Sequence, residues 1–541
     1  MSQATFFVKE PSNEPYFTFA PGTPERAALA AELERLKAEP IEIPAIIGGK
    51  PVKTGRIYEV VCPHDHGHVL ARAHLCGENE VAMAVEAAAD ARKGWAALPW
   101  EERMAVFSKA ADLVAGPWRM TMNASTMLGQ SKTAHQAEIE AAGELCDFFR
   151  FNNWYLWKLI QDQPASPDGM WNRVEYRPLE GFVFGVSPFN FTAIAGNIPG
   201  APALCGNTVL WKPSPTALFS NYFLMQVLHE AGLPAGVINF LPGEGADVGD
   251  PALASPHLAG LHFTGSAATF HHLWKAIASN IETYRTYPRI VGETGGKDFI
   301  MAHESVDPQV LVTAAIRAAF EYQGQKCSAA SRMYVPDSIW PEVEAGLRRE
   351  IAKITVGDIA DFRHFMGAVI DRKSFDKITG YIEHARNSPD AEILIGGGSD
   401  DRTGYFVDPT VIVTTNPHFK TMQEEIFGPV LTVHVYKAEE FEQALDLCES
   451  TSPYALTGAI FARDRHMLKH MSDRLRDAAG NFYINDKPTA AVVNQQPFGG
   501  GRKSGTNDKA GSIPHLYRWL SMRSIKETTT PPRDWRYPYM G

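Results

Sequence analysis

The sequence predicts an α/β fold built on parallel sheet, and three observations predict it. From Phe182 onward short apolar runs alternate with helical ones: "FVFGV", "TVLWK", "VINFL" and "GLHFTG" read as strands, while "TALFSNYFLMQVLHEAG" and "ATFHHLWKAIASNI" read as helices. A second series starts near Asp298, with "FIMAH", the helical "PQVLVTAAIRAAFEYQ", the strand "RMYVP" and a helix over 340–354. The run 181–211 holds no Asp, Glu, Lys or Arg. Its Pro188, Pro199, Pro202 and asparagines would leave polar groups unsatisfied in lipid, so it reads as buried sheet interior and not as a membrane span. Strand–helix repetition implies right-handed crossovers, and such sheets take ligands at the carboxyl ends of their strands. A nucleotide site is expected there.

Ahead of these series several helices are expected. "TPERAALAAELERL" offers Thr23 as N-cap and Pro24 at the first helical position. Ala and Leu at helical spacing predict further helices over 80–98, 100–113 and 134–149. The Pro- and Gly-punctuated "QDQPASPDGMWNRVEYRPLEG" reads as an exposed hairpin suited to pairing with another subunit. The aromatic, Pro-rich tail "TTTPPRDWRYPYMG" has no period and is expected to pack on a neighbouring subunit.

At 541 residues the chain exceeds one hydrophobic core, and 45% hydrophobic with 21% charged residues fit a globular protein. A net charge of −11 argues against nucleic-acid or anionic-membrane partners, which demand a basic surface. A small molecule is the expected ligand. "MSQATFFVKEPSNEPYF" lacks a leader-like pattern, which leads to an expectation of a cytoplasmic protein. The 6 cysteines form no CxxC pair, so reduced thiols are expected and neither a disulfide framework nor a zinc cluster.

Several short motifs suggest chemistry that their context does not support. "LPGEGADVG" spaces Gly243, Gly245 and Gly249 one residue too long for a dinucleotide fingerprint, and turn glycines are the simpler reading. "VGETGGKD" lacks the first glycine and the Ser or Thr of a phosphate-binding loop. "HDHGH" reads as a solvated turn and not as a metal site. Lys212, at the end of "TVLWK", is either a surface lysine or a group that meets a cofactor's ribose or phosphate. Among the thiols Cys327 stands out, in the polar "GQKCS" beside Lys326, because a nucleophile needs a thiolate near positive charge or a helix end. An inert core thiol remains open. Cys146, Cys205 and Cys448 sit in settings that suit a small hydrophobe.

"SPFNF" (187–191), "WKPS" (211–214), "FTGS" (263–266), "GETGGKD", "GQKCS", "EEIFGP" (424–429) and "QPFGG" (496–500) occur in one order, and this series resembles the NAD(P)-dependent aldehyde dehydrogenase superfamily from about residue 50 onward. "LEGFVFGVSPFNFTAIAGN", "AFEYQGQKCSAASR", "GNFYINDK", "SGTNDK" and "SNEPYF" are similar to the branch that oxidises L-glutamate γ-semialdehyde to L-glutamate in proline breakdown. The resemblance implies a Rossmann-like cofactor domain (1–159 and 183–293), a catalytic domain (294–502), and an oligomerisation hairpin with C-terminal tail (160–182 and 503–541). It also implies NAD as cofactor, a homodimer or larger homo-oligomer, and a proline dehydrogenase as pathway partner. The same chemistry on another amino-acid or carboxy semialdehyde, or a catalytically silent binding homologue, are the alternatives.

The resemblance carries roles onto single residues. Cys327 matches the nucleophile, Asn190 the amide that steadies the oxyanion, and Glu293 the base that activates water. Lys212 and Glu425 match ribose-holding groups, Gly265 and Ser266 the turn at the pyrophosphate, and Phe427 the ring at the nicotinamide ribose; Ser187, Pro188, Phe189, Ser214 and Gly243 complete the cofactor set. Pro215 stands where many relatives carry a glutamate that would repel a 2′-phosphate, so NADP has one barrier fewer. Glu144 matches the residue that meets the substrate amine and Ser328 one that reaches its carboxylate. Phe191 and Phe498 match aromatic walls, and the loop with Ala490 and Ala491 the carboxylate anchor. That loop departs from the usual Thr-Gly-(Ser or Ala), reading Thr489-Ala490-Ala491, with Asn494 where glycine is common.

Overall fold

The computed structural model describes residues 5–489 and 491–541. Two seven-stranded sheets organise it. The first runs Arg289–Glu293, Leu258–Thr264, Phe182–Val186, Thr208–Lys212, Ile238–Phe240, Ala45–Ile47 and Lys50–Val52. Its first five strands are mutually parallel and the last two antiparallel. Every residue of Thr208–Lys212 is buried, as expected of a parallel strand covered on both faces. Phe182–Val186 is followed on one side by Thr208–Lys212 and on the other by the later Leu258–Thr264, so the strand order reverses between Val186 and Thr264. In open parallel sheets that switch point, at the carboxyl ends, is where a cleft opens.

The second sheet runs Ala391–Ile395, Thr410–Thr414, Val430–Tyr436, Ala330–Pro336, Asp298–Ala302, Thr457–Phe461 and Asn481–Ile484, all parallel except the first. Helices Pro308–Phe320 and Trp340–Ile351 cover one face through Leu311, Val312, Val343 and Leu347. The uncharged run 181–211 is buried, and no helix among the described residues is long and apolar enough to cross a membrane.

Three sequence expectations need correction. The helix expected over 134–149 continues to Ile160 and contains a π-helical segment, Glu138–Glu144. The hairpin expected before residue 182 is a single strand, Met170–Pro178, whose antiparallel partner is Leu520–Thr528. A local pattern specifies a strand but not a partner so distant in sequence. The "HDHGH" stretch is only partly solvated: Gly67 is exposed and His66 and His68 half-buried, but His64 is buried, its Nε2 3.0 Å from Cys62 Sγ and its Nδ1 3.0 Å from Ser131 Oγ. A Cβ added at Gly404 would lie 2.6 Å from the His64 backbone, which shows how closely the neighbouring loop covers it.

Candidate active site

Where the first sheet ends, the second begins. Glu293 closes Arg289–Glu293, and four residues of loop lead into Asp298–Ala302. Cys327 lies three residues ahead of Ala330–Pro336, and Glu425 and Phe427 precede its neighbour Val430–Tyr436. Gly295 and Gly296 permit this convergence. A Cβ on Gly295 would lie 2.3 Å from Glu425 Oε2, and one on Gly296 2.4 Å from the Cys327 carbonyl. The sharp turn that presents Cys327 uses three successive left-handed residues, Tyr322, Gln323 and Gly324, with φ of 52°, 54° and 65°. Such strain persists only where neighbours fix it. Gln323 Nε2 donates to the Ser131 and Ala368 carbonyls, at 3.0 and 2.7 Å, and Gln325 Oε1 accepts from Ile370 N–H at 2.9 Å.

The electrostatics around Cys327 differ from the expectation. Burial pushes its thiol well above the ordinary value, and carboxyls of Asp298, Glu425 and Glu293 push the same way. The neighbouring Lys326 ammonium is taken by the Glu321 carboxylate at 3.1 Å. The thiol therefore rests protonated. Glu293 is also pushed well above the carboxylate range, by burial first; the Gly500 N–H donates to its Oε2 at 3.1 Å and offsets part of the effect. Asn190 is buried and its Nδ2 donates to the Gln325 carbonyl at 3.1 Å, two residues before Cys327.

A cavity of about 320 Å³ opens beside the thiol. Cys327, Glu293 and Ser328 line it together with Glu144, Phe191, Phe498 and Ala491, so these expected residues share one space. Ser328 Oγ donates to Thr489 Oγ1 at 3.1 Å. Ala490 lies outside the described residues. Asn494 sits at φ 71°, a left-handed position that asparagine tolerates, and its Oδ1 accepts from Tyr155 Oη at 2.7 Å. Glu144 ends the π-helical segment; burial and then Glu140 push its carboxyl up to about 8.

The sequence reading missed Lys132 and Glu140, a buried ion pair at 2.7 Å in which Glu140 lines the cavity, with Lys132 Nζ 4.2 Å from the Phe191 ring centre. Glu140 and Glu144 are four apart, a spacing that puts two carboxyls on one helical face and could have flagged them.

The expected cofactor residues gather separately, around the switch point. Ser187, Pro188 and Phe189 follow Val186, while Gly265 and Ser266 follow Thr264. Ser266 caps helix Ala267–Ser279 by accepting from Thr269 N–H at 3.1 Å, which satisfies one of the first-turn N–H groups. Lys212 is buried and not a surface lysine; its Nζ donates to the Pro213 carbonyl at 3.1 Å, and burial lowers its pKa to about 8. Ser214 Oγ meets Thr216 Oγ1 at 3.2 Å, and Phe189 and Phe427 stack edge to face at 5.7 Å. Glu425 Oε1 accepts from Gly296 N–H at 3.0 Å. Gly243 is closely packed, since a Cβ there would lie 2.4 Å from the Val248 side chain. Among the described residues no group of three or more His, Cys, Asp or Glu is arranged to hold a metal ion.

Paired sheets, a cysteine at their junction and a carboxyl across the cavity define a class, and residues 51–525 match the aldehyde dehydrogenase family. The chain belongs to that family. It is 50% identical to Delta-1-pyrroline-5-carboxylate dehydrogenase, mitochondrial, of Danio rerio, covering 98% of this chain and 96% of that one. With the mitochondrial enzyme of the same name from Bos taurus it shares 51% identity, over 98% and 94% of the two chains. The Delta-pyrroline-5-carboxylate dehydrogenase of Mycobacterium tuberculosis, solved bound with NAD, superimposes with a TM-score of 0.97 at 52% identity, covering 100% of both chains. The names of the two vertebrate relatives overturn the expected cytoplasmic location. That expectation rested on the composition of the first residues alone, whereas the mitochondrial proteins match nearly all of this chain.

Proposed function

We propose that the protein oxidises L-glutamate γ-semialdehyde, in equilibrium with 1-pyrroline-5-carboxylate, to L-glutamate with NAD, as a step of proline breakdown. The observation that carries this reading is the single cavity shared by Cys327, Glu293, Glu144 and Ser328 in a chain half identical to enzymes of that name.

The donor set around the switch point fits a dinucleotide. Lys212, a buried ammonium that donates to a carbonyl, and Glu425 suit ribose hydroxyls, and the helix N-terminus at Ser266 suits the pyrophosphate. When bound, NAD supplies a hydride acceptor. Cys327, once deprotonated, adds through Sγ to the aldehyde carbon, and its own N–H with the Asn190 amide steadies the oxygen that gains charge. Loss of hydride from that carbon leaves a thioester on Sγ. Glu293 takes a proton from water, the hydroxide attacks the thioester carbon, and the C–S bond breaks to release L-glutamate and the thiolate. Glu144 meets the α-ammonium, Ser328 and the loop at Ala491 meet the α-carboxylate, and Phe191 and Phe498 flank the methylenes.

We assign residues 1–159 and 183–293 to cofactor binding, 294–502 to catalysis, and 160–182 with 503–541 to assembly of a homo-oligomer.

Formation of NADH from pyrroline-5-carboxylate tests the reading. Cys327→Ala is expected to abolish it, whereas Glu293→Gln is expected to give one burst of NADH per site and then stall at the thioester. Turnover of plain aldehydes without pyrroline-5-carboxylate, or full steady-state turnover by Cys327→Ala, would overturn it.

A further inference from the structure

The "SNEPYF" stretch lies outside the segment that matches the family, and nothing in the catalytic scheme uses it. In the structure this N-terminal segment crosses the mouth of the cavity as an irregular strap. Asn13 Nδ2 donates to Asp147 Oδ2 and to the Val493 carbonyl, at 2.8 and 2.9 Å, which ties both sides of the opening. The Glu14 carboxylate is held by Arg119 at 2.7 Å and Arg150 at 2.5 Å, and Phe17 N–H donates to Glu138 at 2.7 Å. Between these anchors Tyr16 lines the cavity beside Glu144 and Asp147. Its ring lies so close to the π-helical segment that a Cβ on Gly143 would come within 2.2 Å of it. The strap is thus tied at both ends and seats one aromatic ring at the carboxyl-rich end of the pocket.

We propose that Tyr16 is a specificity-determining residue that completes the subsite for the substrate's α-ammonium, so that the chain selects amino aldehydes over aldehydes of equal length without the amine. The proposal rests on the functional reading above, which puts the ammonium at Glu144. An aromatic face beside carboxyls attracts a cation through its quadrupole and excludes water from the ion pair. Tyr16 is 42% exposed, so its ring faces both pocket and solvent; burial of the rest, with Asp147, Glu144 and Glu138, raises its hydroxyl to about 12, so the phenol stays neutral.

The test compares kcat/KM for L-glutamate γ-semialdehyde and for 5-oxopentanoate, which keeps the chain length and carboxylate and lacks only the amine. Tyr16→Ala is expected to lower the ratio of the two values about tenfold through KM for the amino substrate, and Tyr16→Phe to keep the ratio within about threefold. A strap that merely supports the fold would lower both values together and leave the ratio unchanged, which overturns the proposal. If Tyr16→Ala does not fold, Gly143→Ala, which displaces the ring, is expected to give the same loss of ratio, and an unchanged ratio there overturns the proposal. Wild-type protein that oxidises 5-oxopentanoate but not glutamate γ-semialdehyde would overturn the functional reading and this proposal together; failure in the variants alone overturns only the proposal.

Discussion

At the scale of the residue, Glu144 shows what the cavity does to an acid. In the unfolded chain its carboxyl titrates near 4.5, and in the folded chain near 8. Below pH 4.5 both states are protonated and the group is neutral to stability. As the pH rises to about 8 the unfolded state releases a proton that the folded state keeps, so folded stability falls across that window. Glu144→Gln should therefore melt with the wild type near pH 4.5 and a few degrees above it near pH 8. A difference that does not change with pH would show that the carboxyl is not perturbed as described. Little of this is legible in sequence, because "GELCDF" gives no sign of the enclosing wall. Cys327 was better marked, by its polar setting, yet the positive neighbour that setting promised is engaged with Glu321 and the thiol faces acids instead.

At the scale of the element, the turn before Cys327 sets the position of the nucleophile. Gly324 has φ +65°, and a Cβ there would lie 2.2 Å from the Gly428 carbonyl. Gly324→Ala is expected to lower stability by about 1–3 kcal/mol and kcat by about 100-fold, since small displacements of a reacting group are that costly. Wild-type melting and turnover in this variant would refute the account. The strands and helices were the readable part: apolar runs such as "TVLWK" have the right length and composition for a buried strand, and they form one. The π-helical segment was not readable, because Glu138–Glu144 carries no pattern that separates i→i+5 from i→i+4 bonding.

At the scale of the whole molecule, the ribbon of Met170–Pro178 and Leu520–Thr528 stands apart from both large sheets. A two-stranded ribbon alone is marginal in water. Trp171 and Met522, 64% and 58% exposed on its two faces, give a second copy of the chain something to cover. The double variant Trp171→Glu, Met522→Glu is expected to sediment as a smaller species than the wild type while keeping its melting temperature within a few degrees; an unchanged mass would remove the ribbon from the assembly surface. The sequence indicated one strand of this pair and could not name the other, since a register across most of the chain leaves no local mark. That pairing also bears on biosynthesis. A ribosome delivers on the order of 5–20 residues each second, so the first strand waits tens of seconds, exposed, for a partner encoded more than 300 residues later. A contact surface that needs both strands of the ribbon would therefore exist only after the second strand has left the ribosome.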